Sequence, residues 1–295
     1  MNNIKNSFDA LVDRAMGLES RSHMRPVIEK ELLHYDILFV LDKENLLDDL
    51  TFQGGAALRL CYGASRFSED LDFAGGKSFH KKHLMLMKSC LEDYLGSRYG
   101  LEVAVKEPKD LSETFGSENI KVDKWQVRIL TCPERRDIPK QMIKVEVVNI
   151  PAYTKEIRQL THNYEFLPDG YDDVLVMTES LDEIMADKLI AFVNCQKYVR
   201  YRDIWDFRWL KQQGAVLKTE LIKKKIEDYW VESYLRKLND AISQLPTIIL
   251  SSEFKKQMAR FLPLDVQERT LQKEKFYDFL LKEVNELFCR LQAEL

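Results

Sequence analysis

The chain has 295 residues, 45% of them hydrophobic, enough for one large globular domain or two moderate ones. Charged residues make up 31% and nearly cancel at a formal net charge of -4, which excludes a surface that attracts nucleic acid everywhere; any such site must be a local patch. The 5 cysteines stand at wide, irregular spacings without CxxC or a histidine at ligand spacing, so a disulfide framework and a zinc ribbon are excluded too.

The first residues, MNNIKNSFDALVDRA, lack the apolar run of a signal peptide, and no stretch of roughly eighteen apolar residues could span a bilayer. The expected compartment is the cytoplasm, with no membrane partner. Apolar residues recur at helical spacing over 4–18 and 26–49, the second run opening at Pro26. Residues 50–53 read as a short extended segment, Gly54-Gly55 as a break, and 56–62 as a helix that Gly63 stops. Leu71 and Phe73 then alternate with Asp70 and Asp72, a strand pattern with both acids on one face.

A helix is expected over 79–97, followed by strands over 101–105, 125–130 and 142–150. From about Tyr171 the period turns helical, with helices expected over 180–197, 203–213, 218–243, 251–260 and 271–293. The chain thus divides into residues 1–175, where strands and helices mix, and 176–295, a helical domain without repeats.

Chemistry concentrates in FQGGAALRLCYGASRFSEDLDFAGG. Side chains two apart on a strand share a face, with Cα atoms roughly 6–7 Å apart, so Asp70 and Asp72 can share one site. Their repulsion requires a proton or a cation between them. Hard oxygen ligands suit Mg2+, one or two ions, whose remaining positions take water and the phosphates of an NTP. Gly54 and Gly55 supply the complement, because no side chain keeps a phosphate from the backbone and the following helix offers free N–H groups and its positive dipole end. A GG pair or a DxD alone is commonplace; strand, GG, helix, strand and DxD in this order is far more specific.

GGAALRLCYGASRFSEDLDF resembles the first motif of the DNA polymerase β-type nucleotidyltransferases, most closely the AbiEii/AbiGii toxin branch. The resemblance implies a mixed α+β or α/β fold: a polymerase β-like core, in which helices flank a small mixed sheet, and a helical C-terminal domain. In that reading Asp70 and Asp72 hold the metal while Gly54 and Gly55 hold the nucleotide. The string KVEV in IKVEVVNI is similar to the family's second motif and makes Glu146 the third metal-holding carboxylate, with Lys144 on its face toward the nucleotide. Without the resemblance, Lys144 and Glu146 read equally as an edge-strand pair in solvent.

Further along, Ser180 and Glu183 form a capping box that starts a helix. Lys188 falls in its apolar seam with Leu181, Met185 and Phe192, where such a lysine ordinarily snorkels to water. DKLIAF resembles the third motif, which instead makes Lys188 a phosphate contact in catalysis. RDIWDF resembles the fourth, RDxxD, which places Asp203 in the catalytic set and Asp206 near the nucleotide; as local chemistry the pair equally reads as an N-cap and a first-turn acid. The C-terminal domain would on this reading contribute Lys188 and Asp203 to the site.

Arg59 and Arg66 flank the first motif as candidate phosphate contacts, and a bridge to Glu69 is an equal reading for Arg66. The basic clusters KSFHKKH (77–83), KKK (223–225) and Arg135-Arg136 are RNA contacts or solvated faces. The activity implied by the family is NMP transfer from an NTP to an acceptor hydroxyl, with the 3′ end of tRNA as acceptor, by the toxin of a bacterial toxin–antitoxin or abortive-infection system. A cognate antitoxin, often a transcriptional repressor, is the implied partner. The charge balance keeps open a small-molecule acceptor such as an aminoglycoside, or a protein hydroxyl; a further alternative, from another class, is a nucleotide-binding module without turnover.

Overall fold

The computed structural model describes residues 7–17, 19–108, 113–114, 120–134, 140–168 and 170–295. They form two units, Met1–Thr178 and Glu179–Leu295. Arg135-Arg136 lie outside the described residues.

The first unit runs α1 (Phe8–Met16), α2 (Arg25–Lys43), β1 (Thr51–Gln53), α3 (Gly54–Tyr62), β2 (Leu71–Ala74), α4 (Met87–Tyr99), β3 (Glu102–Lys106), β4 (Glu113–Thr114), β5 (Lys121–Leu130), β6 (Gln141–Val148), β7 (Glu156–Gln159) and β8 (Leu175–Thr178). The strands form one mixed sheet in the order β3-β5-β6-β2-β1-β8-β7, with β4 added beside β5. β2 and β6 run parallel, as do β1 and β8, and the remaining pairs are antiparallel.

Alternation along β6 sets the two faces of the sheet. Ile143, Val145 and Val147 are fully buried, while Lys144 and Glu146 between them are half-buried. Gln141, on the same face as the three apolar residues, donates to Glu29 of α2 at 2.7 Å. Hence α2 packs on the apolar face, with Phe52, Phe73, Trp125 and Val127 completing the core there. The opposite face carries the acids.

α3 starts at the glycine pair and ends where Gly63 adopts φ 74°, a left-handed cap that donates its N–H to Leu58 O. Residues 79–97 differ from the single expected helix, forming a 3-10 turn over Lys81–Leu84 and then α4. The expected change to helices at Tyr171 is corrected as well: β8 lies beyond it and pairs with both β1 and β7. A boundary at 175/176 would cut this strand from its sheet, and the units part after Thr178. β7 and β8 are only 4 residues each, too short for alternation to stand out, and β7 is polar and largely exposed.

The second unit contains α5 (Leu181–Asn194), α6 (Tyr201–Gln212), α7 (Thr219–Asp228), α8 (Tyr234–Ile249), α9 (Ser252–Ala259), α10 (Leu264–Arg269) and α11 (Glu274–Glu294). The expected helix over 218–243 is two helices, because Trp230 and Ser233 take positive φ values of 49° and 54° between them. α11 packs on α8 and α6, and the rings of Phe192, Phe207 and Phe288 meet edge to face with centroids 5.4–5.8 Å apart.

Candidate active site

Strand register aligns four polar residues in one row across the acid-bearing face. Gln53 of β1 opposes Asp72 of β2, Asp72 opposes Glu146 of β6, and Glu146 opposes Lys124 of β5. Side chains in register on neighbouring strands stand side by side on one face, so Asp72 and Glu146 share a site by construction. β6 lies between β5 and β2, which removes the edge-strand reading of Lys144 and Glu146.

Asp70 joins this row from the end of β2. Its Oδ1 accepts the backbone N–H of Lys144 at 3.0 Å, and its Oδ2 lies 3.5 Å from Lys144 Nζ. Burial alone would lower the Lys144 ammonium's pKa; the charges of Asp70 and Glu146 outweigh it and raise the pKa instead. Glu146 Oε1 lies 3.1 Å from Lys124 Nζ. Asp70 and Glu146 keep 26% side-chain exposure, so the carboxylates are within reach of a solute.

The glycines are pressed against this row. Gly54 has φ 76°, and a Cβ there would lie 2.9 Å from Asp72 Oδ2. A Cβ on Gly55 would lie 2.6 Å from Arg66 Nη2 and 3.0 Å from Ser68 Oγ. The start of α3 therefore lies close to Asp72 and Arg66. Arg66 is buried and donates to Phe67 O at 2.7 Å, while Glu69, its alternative partner, pairs with Lys30 at 3.1 Å.

Arg59 requires a correction. Its guanidinium grips Glu31 of α2 with Nε at 2.7 Å and Nη2 at 2.9 Å, and Nη1 donates to Ala64 O at 2.9 Å. All of these groups are buried, so Arg59 ties α3 to α2 and is not available to a nucleotide. The local sequence gave no sign of this, because the partner lies far back in the chain.

Two residues missed in the sequence enter here. Gln53 Oε1 is buried without a hydrogen-bond partner among the described residues, directly beside Asp72. Lys124 is the counterion of Glu146. Gln53 could have been suspected as the residue before the glycine pair; Lys124 appears only once the register is known.

The donor set fits a hard divalent cation. Asp70, Asp72, Glu146 and the orphaned amide oxygen of Gln53 offer only oxygen, the donor type such a cation takes.

In the second unit, Lys188, Asp203 and Asp206 meet. Lys188 Nζ lies 2.9 Å from Asp203 Oδ1 and 2.8 Å from Asp206 Oδ2, all three side chains being buried. Lys188 does not snorkel. Arg200 also pairs with Asp203. Burial would raise the Asp203 pKa, but the charges of Lys188 and Arg200 hold it well below the usual carboxylate range. The N-cap reading of Asp203 fails, since it lies inside α6, whose cap is Arg200.

A second cluster there was not foreseen. Glu179, just before the cap of α5, and Glu183 and Asp187, one turn apart on it, each bring an oxygen within 4.8 Å of the others. Lys225, fully buried, reaches Glu183 at 2.7 Å, Asp187 at 2.9 Å and Glu179 at 3.5 Å. Burial pushes the pKa values of Glu179 and Asp187 up. The KKK run is thereby corrected: Lys223 and Lys224 are exposed, but Lys225 serves the interior. Ser180 caps α5 as expected, accepting from Glu183 N, whereas the Glu183 carboxylate goes to Lys225.

The model of the nucleotidyl transferase AbiEii toxin family, type IV toxin–antitoxin system, matches residues 36–281. The solved structure of the nucleotidyltransferase toxin MenT4 from Mycobacterium tuberculosis H37Rv is similar at a TM-score of 0.54 and 17% identity, over 97% of this chain and 93% of that one; the likeness is one of fold. A putative nucleotidyltransferase from H. pylori matches at a TM-score of 0.42 and 18% identity, over 86% of this chain and 96% of that one. JHP933 from Helicobacter pylori matches at 0.44 and 19%, over 90% and 97%. No curated protein matches. Among the described residues, no helix is long and apolar enough to cross a membrane.

Proposed function

The chain belongs to the AbiEii family of nucleotidyltransferase toxins of type IV toxin–antitoxin systems, and from that premise we propose that it transfers an NMP from an NTP to the 3′ end of tRNA, with Mg2+ held by Asp70, Asp72 and Glu146. The observation that carries this reading is the Gln53–Asp72–Glu146–Lys124 row beside Asp70 and Gly54. Three carboxylates lie on one face of the sheet there, two of them in register, and the start of a helix lies beside Asp72.

In this mechanism the chain's own residues orient and neutralise. Lys144 orients Asp70 through its backbone N–H, and the lack of a side chain at Gly54 leaves room for the Asp72 carboxylate. Lys144 and Lys124 hold the row's charge in check before substrate arrives. When bound, the cation would offset the phosphate charge and lower the pKa of the attacking hydroxyl. The acceptor oxygen forms a new bond to the α-phosphorus as the bond to the β-phosphate bridging oxygen breaks; pyrophosphate leaves with that oxygen, and the hydroxyl proton passes to the carboxylate row or to solvent. The N–H groups of Gly54 and Gly55, at the positive end of α3, bind the triphosphate. Lys188, with Asp203 and Asp206, is required for turnover on this reading, a role that rests on the motif resemblance. The toxin's partner is an antitoxin encoded with it.

Incubating the protein with labelled NTPs, Mg2+ and total tRNA tests this function. Label should appear at tRNA 3′ ends and vanish when the 3′ hydroxyl is oxidised beforehand. NTP binding without label on any tRNA would reject the tRNA acceptor, and label on an aminoglycoside or on protein would replace it.

A further inference from the structure

A cavity of about 410 Å³ opens among α1, α2, the end of α4 and residues 166–168 and 171, within the helical layer on the sheet face opposite the acids. Its size lies in the range of about 300–1,000 Å³ typical of small-molecule sites. Leu11, Phe166 and Leu167 give it an apolar wall, Arg14 and Arg98 stand at its polar side, and no carboxylate is among the described residues that line it.

The two arginines differ in how they are held. Arg98 is fixed: Nη1 donates to Tyr94 Oη at 3.1 Å, and the guanidinium lies 4.9 Å from the centroid of the Tyr99 ring. Asp36 answers its charge, with Oδ1 3.3 Å from Nε, yet that Nε–H is buried and forms no hydrogen bond among the described residues. A buried donor left unsatisfied costs about 1–3 kcal/mol, so an acceptor from a ligand would be gained at little expense. Arg14 lies with its guanidinium 4.6 Å from the centroid of the Phe166 ring and has no ion pair among the described residues. A planar guanidinium stacked on a ring keeps its edge N–H groups free for a bidentate anion.

We propose that this cavity is a second binding site, distinct from the acid row, for a small phosphomonoester with a flat apolar body, the class that includes nucleoside monophosphates. The phosphate lies between Arg14 and Arg98, and the flat body lies along Phe166 and Leu167. The site stands independently of the proposed transfer reaction, since none of its residues belongs to the row.

Calorimetric titration of the full chain in metal-free buffer with AMP, UMP and phenyl phosphate tests the proposal. At least one of the three should bind with one-to-one stoichiometry, and Arg14→Glu should weaken it at least tenfold while thermal unfolding stays unchanged. Leu11→Trp, which fills the cavity, should weaken it likewise, whereas the Asp70→Asn/Asp72→Asn pair should leave it intact. Failure of all three probes to bind overturns the site. So does binding that the aspartate pair abolishes, or binding that Arg14→Glu and Leu11→Trp both leave unchanged. Adenosine binding as tightly as AMP would overturn the assignment of the phosphate to the arginines.

Discussion

Gly54 and Gly63 bracket α3 with nearly the same positive φ, 76° and 74°, but in different surroundings. A side chain in this left-handed region costs roughly 1–2 kcal/mol at either position. Around Gly63 nothing lies within 4 Å of an added Cβ, whereas at Gly54 Asp72 Oδ2 is 2.9 Å away. Gly63→Ala should therefore lower unfolding free energy by about 1 kcal/mol and leave transfer intact. Gly54→Ala should destabilise by more and displace the Asp72 carboxylate, and misplacement by about 1 Å can remove on the order of a hundredfold in rate. Urea unfolding beside a labelled-NTP assay separates the two, and equal activity losses would mean that the Gly54 contact has no catalytic weight. Asp70→Asn and Asp72→Asn keep shape but remove charge. Each should reduce transfer by about 10²-fold or more without lowering the thermal midpoint; toxicity that survives both changes would favour a binding module over an enzyme.

α2 shows how one helix can be buried on nearly every side and still carry charge. Glu29, Glu31, His34 and Asp36 are all at most 1% exposed, and each has a partner from another element: Thr131 and Gln141 for Glu29, Arg59 for Glu31, the Glu69 carbonyl for His34, and Tyr99 and Arg98 for Asp36. Removing one member of a buried pair strands the other charge, so Arg59→Leu should cost about 3–5 kcal/mol in urea unfolding. Arg59→Leu combined with Glu31→Leu should recover much of that loss. If Arg59 instead bound the nucleotide, Arg59→Leu would raise the KM for NTP with little change in stability. His34 gives the helix a pH dependence. Burial lowers its pKa from 6.5 to about 4, so between those values the unfolded chain binds the proton and the folded chain does not. Stability is intact above 6.5 and falls as pH drops through that window. Asp36 acts in the opposite sense, because burial raises its pKa from 3.8 to about 6 and the folded state binds the proton there. Replacing His34 with Leu isolates its share: the stability lost between pH 7 and pH 5 should shrink by roughly 2 kcal/mol, since each pH unit within the window is worth about 1.4 kcal/mol. A loss equal to that of the parent chain would mean that His34 is protonated in the folded state.

Across the whole molecule, what the sequence disclosed was local and what it hid was not. The alternation in DLDF and KVEV, and the glycines at both ends of α3, are short-range patterns, and the structure has strands and a helix there. The distant partners Glu31 for Arg59 and Lys124 for Glu146, and the buried destination of Lys225, depend on which elements pack or pair, which no local window records. The same distinction applies to the acceptor. A formal net charge of -4, with one lysine of the KKK run spent in the interior, leaves no net positive charge to draw in an RNA strand. Each phosphate contact to a single strand contributes about -0.7 to the slope of log affinity against log salt, so roughly four contacts give a slope near -3. We therefore expect log kcat/KM for tRNA to fall with log NaCl concentration at a slope no steeper than about -3, measured at fixed NTP and Mg2+. A flat profile would point to a small or uncharged acceptor. A much steeper slope would require a continuous basic track, and a chain with balanced charge can build one only by segregating its lysines and arginines onto one face.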